Sequence, residues 1–193
     1  MNGQTNEVYM FVKFRIQQLM QLGESTIKFK LAQLRSGIGK HPGNISALWD
    51  ITMEGLPESL MSTSPNGAPS FGEWAVHSAM TLFALHQQGN DLKQKCMNRE
   101  GEGFGKTVRK LVENADDFER IKRRFDIVVT SNSIEEISHH LRGIIQLLKT
   151  KDLPLNYPDL AQDLFYFQTI KTRDNTRLKW GRDFYRIQKQ EEN

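Results

Sequence analysis

The sequence SIEEISHHLRGIIQLLKT occupies residues 133 to 150 and sets the fold class of the chain. Its apolar residues recur three or four positions apart, which gathers their side chains on one face of an α-helix. They are Ile134, Ile137, Leu141, Ile144, Ile145 and Leu148. Ser133 and Glu136 have the spacing of a capping box, which satisfies backbone N–H groups where a helix begins. The stretch therefore predicts an amphipathic helix that begins after Ser133.

The same helical period recurs along the rest of the chain, and alternation with period two never extends beyond a few residues. We expect helices over residues 5–21, 24–36, 73–88 and 116–130, a short helix through Trp49, one that begins at Asn156 or Tyr157-Pro158, and one in the C-terminal tail. Residues 73–88 are apolar on several sides, which is typical of a central buried helix. The sequence thus predicts an all-α fold, a compact multi-helix bundle.

Chain length allows more than one domain organisation. With 193 residues and 38% hydrophobic content, the chain can bury one core or two small helical lobes that share an interface. We expect a single all-helical domain over residues 1–193, with an N-terminal lobe over 1–90 and a C-terminal lobe over 100–193 as the alternative organisation. Residues 62–72 (STSPNGAPSFG) predict a surface loop and are the expected boundary between lobes.

Cysteine usage and the absence of long apolar segments bear on the compartment. Cys96 is the single cysteine, so an internal disulfide and a thiolate zinc site are both excluded. The first residues, MNGQTNEVYM, lack the cationic and apolar regions of a secretion signal, and no run of about eighteen apolar residues follows. We expect a cytoplasmic protein that does not enter a membrane.

Positive charge is concentrated in the tail. Residues 171–189 hold seven cations and two carboxylates, a local charge of +5 against +3 for the whole chain. A helix would align four of the cations in a stripe beside apolar residues. The stripe consists of Lys179, Arg182, Arg186 and Lys189, beside Trp180, Phe184 and Ile187. A row of about 15 Å can meet several phosphates, which favours nucleic acid as a partner, and a solvated helix face is the alternative interpretation.

Other helices also supply cations on their polar sides. Arg120, Arg123 and Arg124 lie opposite the apolar face that contains Phe118 and Phe125. Further cations are Lys28 and Arg35 on the second helix, Lys106 at a helix start and Arg142 in the 133–150 helix. Because an arginine fork donates two hydrogen bonds to one phosphate, these residues predict a composite basic groove.

Candidate catalytic motifs lack the residues that they need. Residues 101–107 (GEGFGKT) resemble a phosphate-binding loop, but Glu100 stands where that loop requires glycine. The histidines, including the adjacent His139 and His140, have no ordered acidic partners for a metal site. Asp159 and Asp163 lie one turn apart, yet the start of a helix accounts for Asp159. We therefore expect no enzyme, no cofactor and no metal site.

An ordered set of short segments resembles the CasB family, the small subunit of the type I-E CRISPR surveillance complex Cascade. The segments are LAQLRSG at 31–37, HP at 41–42, LFALHQ at 82–87, GFG at 103–105, ERIKRRF at 119–125, HLR at 140–142, LLK at 147–149, LNY at 155–157 with Leu160, DL at 163–164, and WGRDFY at 180–185. Ser36 departs from the pattern, because the family often has a second arginine there. The resemblance covers most of the chain in order.

The resemblance implies an all-helical, non-catalytic antiviral-defence protein, present as two copies in a complex built on CRISPR RNA with other Cascade subunits. Its basic surface would follow the displaced single-stranded DNA of an R-loop. Matched positions nominate Arg35, Lys106, Arg124 and Arg142 as nucleic-acid-binding residues, and charge geometry adds Arg120, Arg123, Lys179 and Arg182. The alternative function is a basic helical adaptor that docks acidic protein surfaces without contacting nucleic acid.

Overall fold

The structure is a computed structural model that describes residues 2–186. Its helices are α1 (Asn2–Gln21), α2 (Glu24–Ser36), α3 (Trp49–Thr52), α4 (Phe71–Gln87), α5 (Phe104–Arg109), α6 (Ala115–Thr130), α7 (Ile134–Thr150), α8 (Tyr157–Phe167) and α9 (Ile170–Tyr185). Short 3₁₀ helices lie at Pro42–Asn44, Ser46–Leu48 and Glu58–Leu60. Within the described residues the only β pairing is an isolated bridge between Asn98 and Leu155. The all-α prediction is confirmed.

Side-chain caps fix where several helices begin. Ser70 and Glu73 form a complete capping box at α4, which was not predicted from the sequence. At α7, the hydroxyl of Ser133 accepts from the N–H of Glu136 at 3.1 Å as predicted. The Glu136 carboxylate instead accepts from the N–H of Asn132 at 2.7 Å, so the predicted capping box forms on one side only. The start of α7 at Ile134 agrees with the prediction.

Helix α4 is the central buried helix that its composition predicts. Nearly all its side chains are buried, and it packs against α1, α2, α7 and α8. On one flank Ser78 and Ser138 of α7 share a hydrogen bond of 3.0 Å. On the other flank a Cβ built at Gly37, which follows α2, would lie 3.0 Å from the Thr81 methyl group. Small side chains on α4 thus let α2 and α7 approach it closely.

The C-terminal helices meet through a close backbone contact and an aromatic cluster. A Cβ built at Gly105 of α5 would lie 2.1 Å from the carbonyl oxygen of Trp180 in α9, so only glycine fits there. Phe125 of α6 stacks on Phe184 of α9 with ring centroids 4.4 Å apart. Phe104 of α5 lies 4.7 Å from the Trp180 ring. Helices α5, α6 and α9 therefore form one packed unit.

One hydrophobic cluster extends from Val8 in α1 to Phe184 in α9. It includes Phe165 and Phe167, which are buried and therefore belong to the core rather than to a base-stacking surface. The two-lobe organisation over residues 1–90 and 100–193 stays a prediction. In the part of the chain that the structure describes, no helix has both the length and the apolar character to cross a membrane.

Candidate nucleic-acid interface

Three exposed arginines lie on the neighbouring helices α6 and α7. Arg123 and Arg124 extend from the side of α6 away from Phe125, and Arg142 extends from α7. A Cβ built at Gly143 would lie 3.9 Å from Nη1 of Arg124, so this guanidinium reaches α7 beside Arg142. Among residues 2–186, none of these three side chains has a hydrogen-bond or ion-pair partner. Arg123, Arg124 and Arg142 are named the α6–α7 patch.

Arg120 is exposed on the same side of α6, but a carboxylate accompanies it. It forms an ion pair with Asp117, one turn earlier in the helix. Exposed ion pairs of this kind are weak because water screens them and side-chain entropy opposes them. Arg120 thus adds less uncompensated charge to the surface than Arg123 does.

Arg35 lies in a different part of the surface, at a groove beside α2. It is half-buried and lines a depression of about 350 Å³ together with Lys28 and residues 87–91. Lys28 pairs with Glu24 at 2.5 Å. From α7, Nζ of Lys149 donates to Oε1 of Gln88 in the same depression at 3.2 Å. Cations from α2 and α7 therefore meet at the end of α4.

Arg142 and Lys149 connect the groove with the α6–α7 patch. They lie two turns apart on one face of α7, so their side chains point the same way. Arg142 and Lys149 thus form a row along α7, and its Lys149 end reaches Gln88 at the edge of the Arg35 groove. Lys149 was not predicted as a site residue: its spacing from Arg142 was visible in the sequence, but its contact with Gln88 depends on tertiary packing.

Acidic side chains interrupt this surface. Asp91 lines the Arg35 groove, and Glu135 lines a second, smaller depression between α4 and α7 together with Lys40. Both depressions are therefore of mixed charge, whereas Arg123, Arg124, Arg142 and Lys149 form no ion pair among residues 2–186.

Lys106 lies at a cavity with mixed charge. The cavity measures about 520 Å³ and is lined by Gly101, Gly103, Lys106, Asn156, Asp159, Asp183 and Arg186. Lys106 Nζ donates to the carbonyl oxygen of Gly101 at 3.2 Å and lies 3.6 Å from a Glu102 oxygen. Its charge is already partly compensated, and a phosphate contact at Lys106 stays a prediction.

Lys179 turns towards α8, although its side chain is still 40% exposed. Its Nζ donates to Oδ1 of Asp163 at 2.7 Å and to Oδ1 of Asp159 at 3.0 Å. Burial raises the pKa of the Asp163 carboxyl to about 7, although the Lys179 charge favours the ionised form. The charge of Lys179 therefore joins α8 to α9, and a nucleic-acid contact at Lys179 stays a prediction.

Arg182 remains exposed on α9, opposite the side that buries Phe184. Its side chain has no hydrogen-bond or ion-pair partner within residues 2–186. Arg186, one turn later, lies 3.9 Å from an Asp183 oxygen. Ile187 and Lys189, the other predicted members of the tail stripes, lie outside the described residues.

The buried histidines have structural partners. His77 donates from Nε2 to the carbonyl oxygen of Gly37 at 3.1 Å. Nδ1 of His86 lies 2.9 Å from the hydroxyl of Tyr157, which donates to the carbonyl oxygen of Leu82 at 3.3 Å. Burial, together with nearby Lys149, lowers the pKa of His86 to about 4. Both rings thus lie in the packed interior around α4. In the described ranges, no cluster of three His, Cys, Asp or Glu side chains could hold a metal ion.

Comparison with known proteins shows which family the chain resembles. A model described as CRISPR-associated protein Cse2 matches residues 30–185. No curated protein matches the sequence. The match includes every predicted site residue from Arg35 to Arg182.

Solved structures with the same fold cover nearly the whole chain. The crystal structure of CasB from Thermobifida fusca shares 28% identity at a TM-score of 0.76, covering 93% of this chain and 98% of that one. A Cse2-family protein from Thermus thermophilus shares 16% identity at a TM-score of 0.67, covering 92% and 97%. CasB from M. ruber shares 18% identity at a TM-score of 0.65, covering 91% of this chain and 92% of that one. The last two show the fold alone.

Proposed function

The chain belongs to the CRISPR-associated Cse2 family, called CasB in the type I-E complex, and from that premise we propose that it holds the displaced strand of an opened DNA target. In this proposal it is the non-catalytic small subunit of Cascade. It acts as one of two copies beside other subunits and CRISPR RNA, and it contacts DNA phosphates without reading bases.

Because target opening is nearly balanced in free energy, weak contacts that do not depend on sequence are sufficient to stabilise the opened DNA. Opening exchanges a DNA duplex for an RNA–DNA duplex of similar stability, so modest contacts with the extruded strand shift the balance. Phosphate contacts from arginine supply such energy independently of sequence. The required surface is one of uncompensated cations rather than a shaped pocket.

The α6–α7 patch is the observation that carries the proposal. Arg123, Arg124 and Arg142 are exposed and unpaired within the described chain, and two helices bring them to adjacent positions. A cation that forms no ion pair can release counterions from a phosphate without first breaking an internal contact. Lys149 and Arg35 extend the row towards α2. Lys106, Arg120, Lys179 and Arg182 stay predictions for further contacts.

A triple variant tests the proposal. Arg123→Gln, Arg124→Gln and Arg142→Gln together remove three phosphate contacts, so the slope of log K against log salt should fall by about 2, at roughly 0.7 per contact on single strands. The measurement is fluorescence anisotropy with two unrelated single-stranded oligonucleotides at several salt concentrations. Both oligonucleotides should lose affinity equally.

The matched control removes the same charge elsewhere. Lys93, Arg99 and Lys171 are exposed and outside the α6–α7 patch, so their replacement by glutamine should leave most of the salt slope intact. Equal decreases of the salt slope in both triple variants would show that the α6–α7 patch contributes only through the total charge of the protein, which contradicts the proposal. Unchanged oligonucleotide binding together with lost binding to other Cascade subunits would favour the adaptor function, and loss on one sequence only would indicate base contacts.

A further inference from the structure

Arg15 of α1 is a buried cation far along the sequence from the basic surface. Only 5% of its surface is exposed. It lines a cavity of about 150 Å³ between α1, α2 and α3. The other lining residues are Gln18, Leu19, Leu22, Lys30, Asp50, Ile51 and Glu54. This cavity is much smaller than the roughly 300–1,000 Å³ of small-molecule sites, so it suits a single side chain.

The Arg15 guanidinium has few partners. Nη1 donates to Oε1 of Gln18 at 2.5 Å, and Nε is buried without an acceptor among the described residues. The guanidinium also lies over the rings of Phe11 and Phe14, at 5.0 and 6.0 Å from their centroids. No carboxylate in the described ranges forms an ion pair with it. A buried charge without a counter-ion is costly, so the geometry calls for an anion.

Nearby carboxylates do not fill this role. Asp50 is engaged with Lys30 at 2.5 Å. Glu54 is exposed and close enough to affect Arg15 only through its field. Burial lowers the pKa of Arg15, and the negative charges of Glu54 and Asp50 partly oppose that shift. A cavity of about 150 Å³ admits one side chain but not a phosphate backbone, so a nucleic-acid partner does not fit it.

We propose that this cavity binds the carboxylate of an aspartate or glutamate side chain from another protein subunit of the complex. The planar fork of Arg15 would hold the two carboxylate oxygens through Nε and Nη2, which lack acceptors in the described chain. Leu19, Leu22 and Ile51 would contact the methylene groups of the entering side chain. The proposal depends on complex membership and not on DNA binding.

The surface beside the cavity has the composition of a protein contact. Met10 and Phe14, one turn apart on α1, are 53% and 56% exposed. An arginine anchor next to exposed large apolar side chains is typical of the residues that dominate protein interfaces. A phosphate backbone gains nothing from such an apolar flank, which further favours a protein partner.

The first test uses the assembled complex. Arg15→Gln should speed dissociation of this subunit at least about tenfold, because removing one partner of a buried charge pair acts on the off-rate. Arg15→Lys keeps the charge but loses the planar fork, so its dissociation rate should lie between those of the wild type and Arg15→Gln. Glu54→Gln should leave the rate unchanged; faster dissociation of that variant would identify Glu54 as the true partner and overturn the proposal.

A second variant guards against misfolding. Leu22→Trp fills the cavity from its half-buried rim and leaves Arg15 in place, so it should speed dissociation while the isolated subunit keeps its melting temperature. Unchanged dissociation of Leu22→Trp and Arg15→Gln, both folded, would refute the site. Oligonucleotide binding by the isolated subunit should be the same for all these variants, which separates this test from that of the proposed function.

The partner is identified by cross-linking. A photo-reactive amino acid at exposed Gln18 should cross-link, in the assembled complex, to a peptide of another protein subunit that contains an aspartate or glutamate. A product with DNA or RNA, or with this chain alone, would overturn the proposal. Titration of the isolated subunit with N-acetylglutamate should shift the Arg15 Nε–H resonance, and an equal shift with inorganic phosphate would count against a carboxylate site.

Discussion

Trp180 donates a hydrogen bond of 2.6 Å from its indole Nε1 to Oδ2 of Asp163. The preceding residue, Lys179, donates to the other oxygen of the same carboxylate at 2.7 Å. Consecutive residues of α9 thus bind both oxygens of one buried side chain of α8. This contact, with the Gly105 approach, fixes α9 on the rest of the bundle.

We expect Gly105→Ala to destabilise the protein by about 3 kcal/mol or more. Its Cβ would lie 2.1 Å from the Trp180 carbonyl oxygen, so α5 and α9 would have to separate. Gly181→Ala is the matched control, because a Cβ there meets no atom within 4 Å. This change should stabilise the protein by at most about 1 kcal/mol, since alanine favours a helix more than glycine does. Urea unfolding of both variants measures the free energies; similar values would disprove the close contact.

Asp163 should make the protein less stable as pH rises. Its pKa is about 7 in the fold against an ordinary 3.8, so the folded state keeps a proton that the unfolded state releases. The stability from this proton is complete below about pH 4 and is lost as pH rises through 7. Asp163→Asn cannot ionise, so its free energy of unfolding should rise relative to that of the wild type by up to about 1.4 kcal/mol per pH unit in that window. Urea unfolding at pH 4.5, 5.5 and 6.5 measures this difference, and a constant difference would contradict the prediction.

His86 should act in the opposite direction. Its pKa is about 4 in the fold against an ordinary 6.5, so the unfolded state binds the proton first as pH falls. The free energy of unfolding of the wild type should therefore rise relative to that of His86→Gln by up to about 1.4 kcal/mol per pH unit between about pH 4 and 6.5. Because the Asp163 and His86 effects oppose each other, the wild-type profile should be flatter than either variant's. Parallel profiles for wild type and His86→Gln would rule out the buried neutral ring.

Lys179 and Arg182 should separate stability from DNA binding. Lys179→Gln leaves Asp163 with one donor fewer, at a cost of about 1–3 kcal/mol. Arg182→Gln should change stability by no more than about 0.5 kcal/mol and reduce the oligonucleotide salt slope by roughly 0.7. Unfolding and anisotropy on the same two variants measure both effects. A larger decrease of the salt slope for Lys179→Gln than for Arg182→Gln would contradict this prediction and indicate that Lys179 contacts the oligonucleotide.

Helical periodicity was sufficient to predict most of the α-helices, because each amphipathic helix has its own apolar face, but it did not predict the 3₁₀ helices at Pro42–Asn44 and Glu58–Leu60. The 24–36 prediction matches α2, and the 116–130 prediction differs from α6 by one residue. The complete capping box at Ser70 was not predicted because the expected loop was extended to residue 72, although Ser70 and Glu73 have the capping-box spacing in the sequence.

The functional surface was harder to predict, since helical spacing gives direction around one axis but not what a neighbouring helix presents. Lys179 has the same spacing in the stripe as Arg182, yet two carboxylates of α8 compensate only the former. Arg15 was not predicted because its lack of a counter-ion becomes visible only once α1, α2 and α3 are packed together.

The small side chains of α4 have an effect beyond the core. Ser78 and Thr81 set how closely α7 and α2 lie on opposite flanks of α4, and those two helices carry Arg142 and Arg35. A bulkier residue at either position would widen the gap between the cations without changing their number. In the proposed function, the spacing of cations that a phosphate chain would meet is therefore set by residues buried in the core.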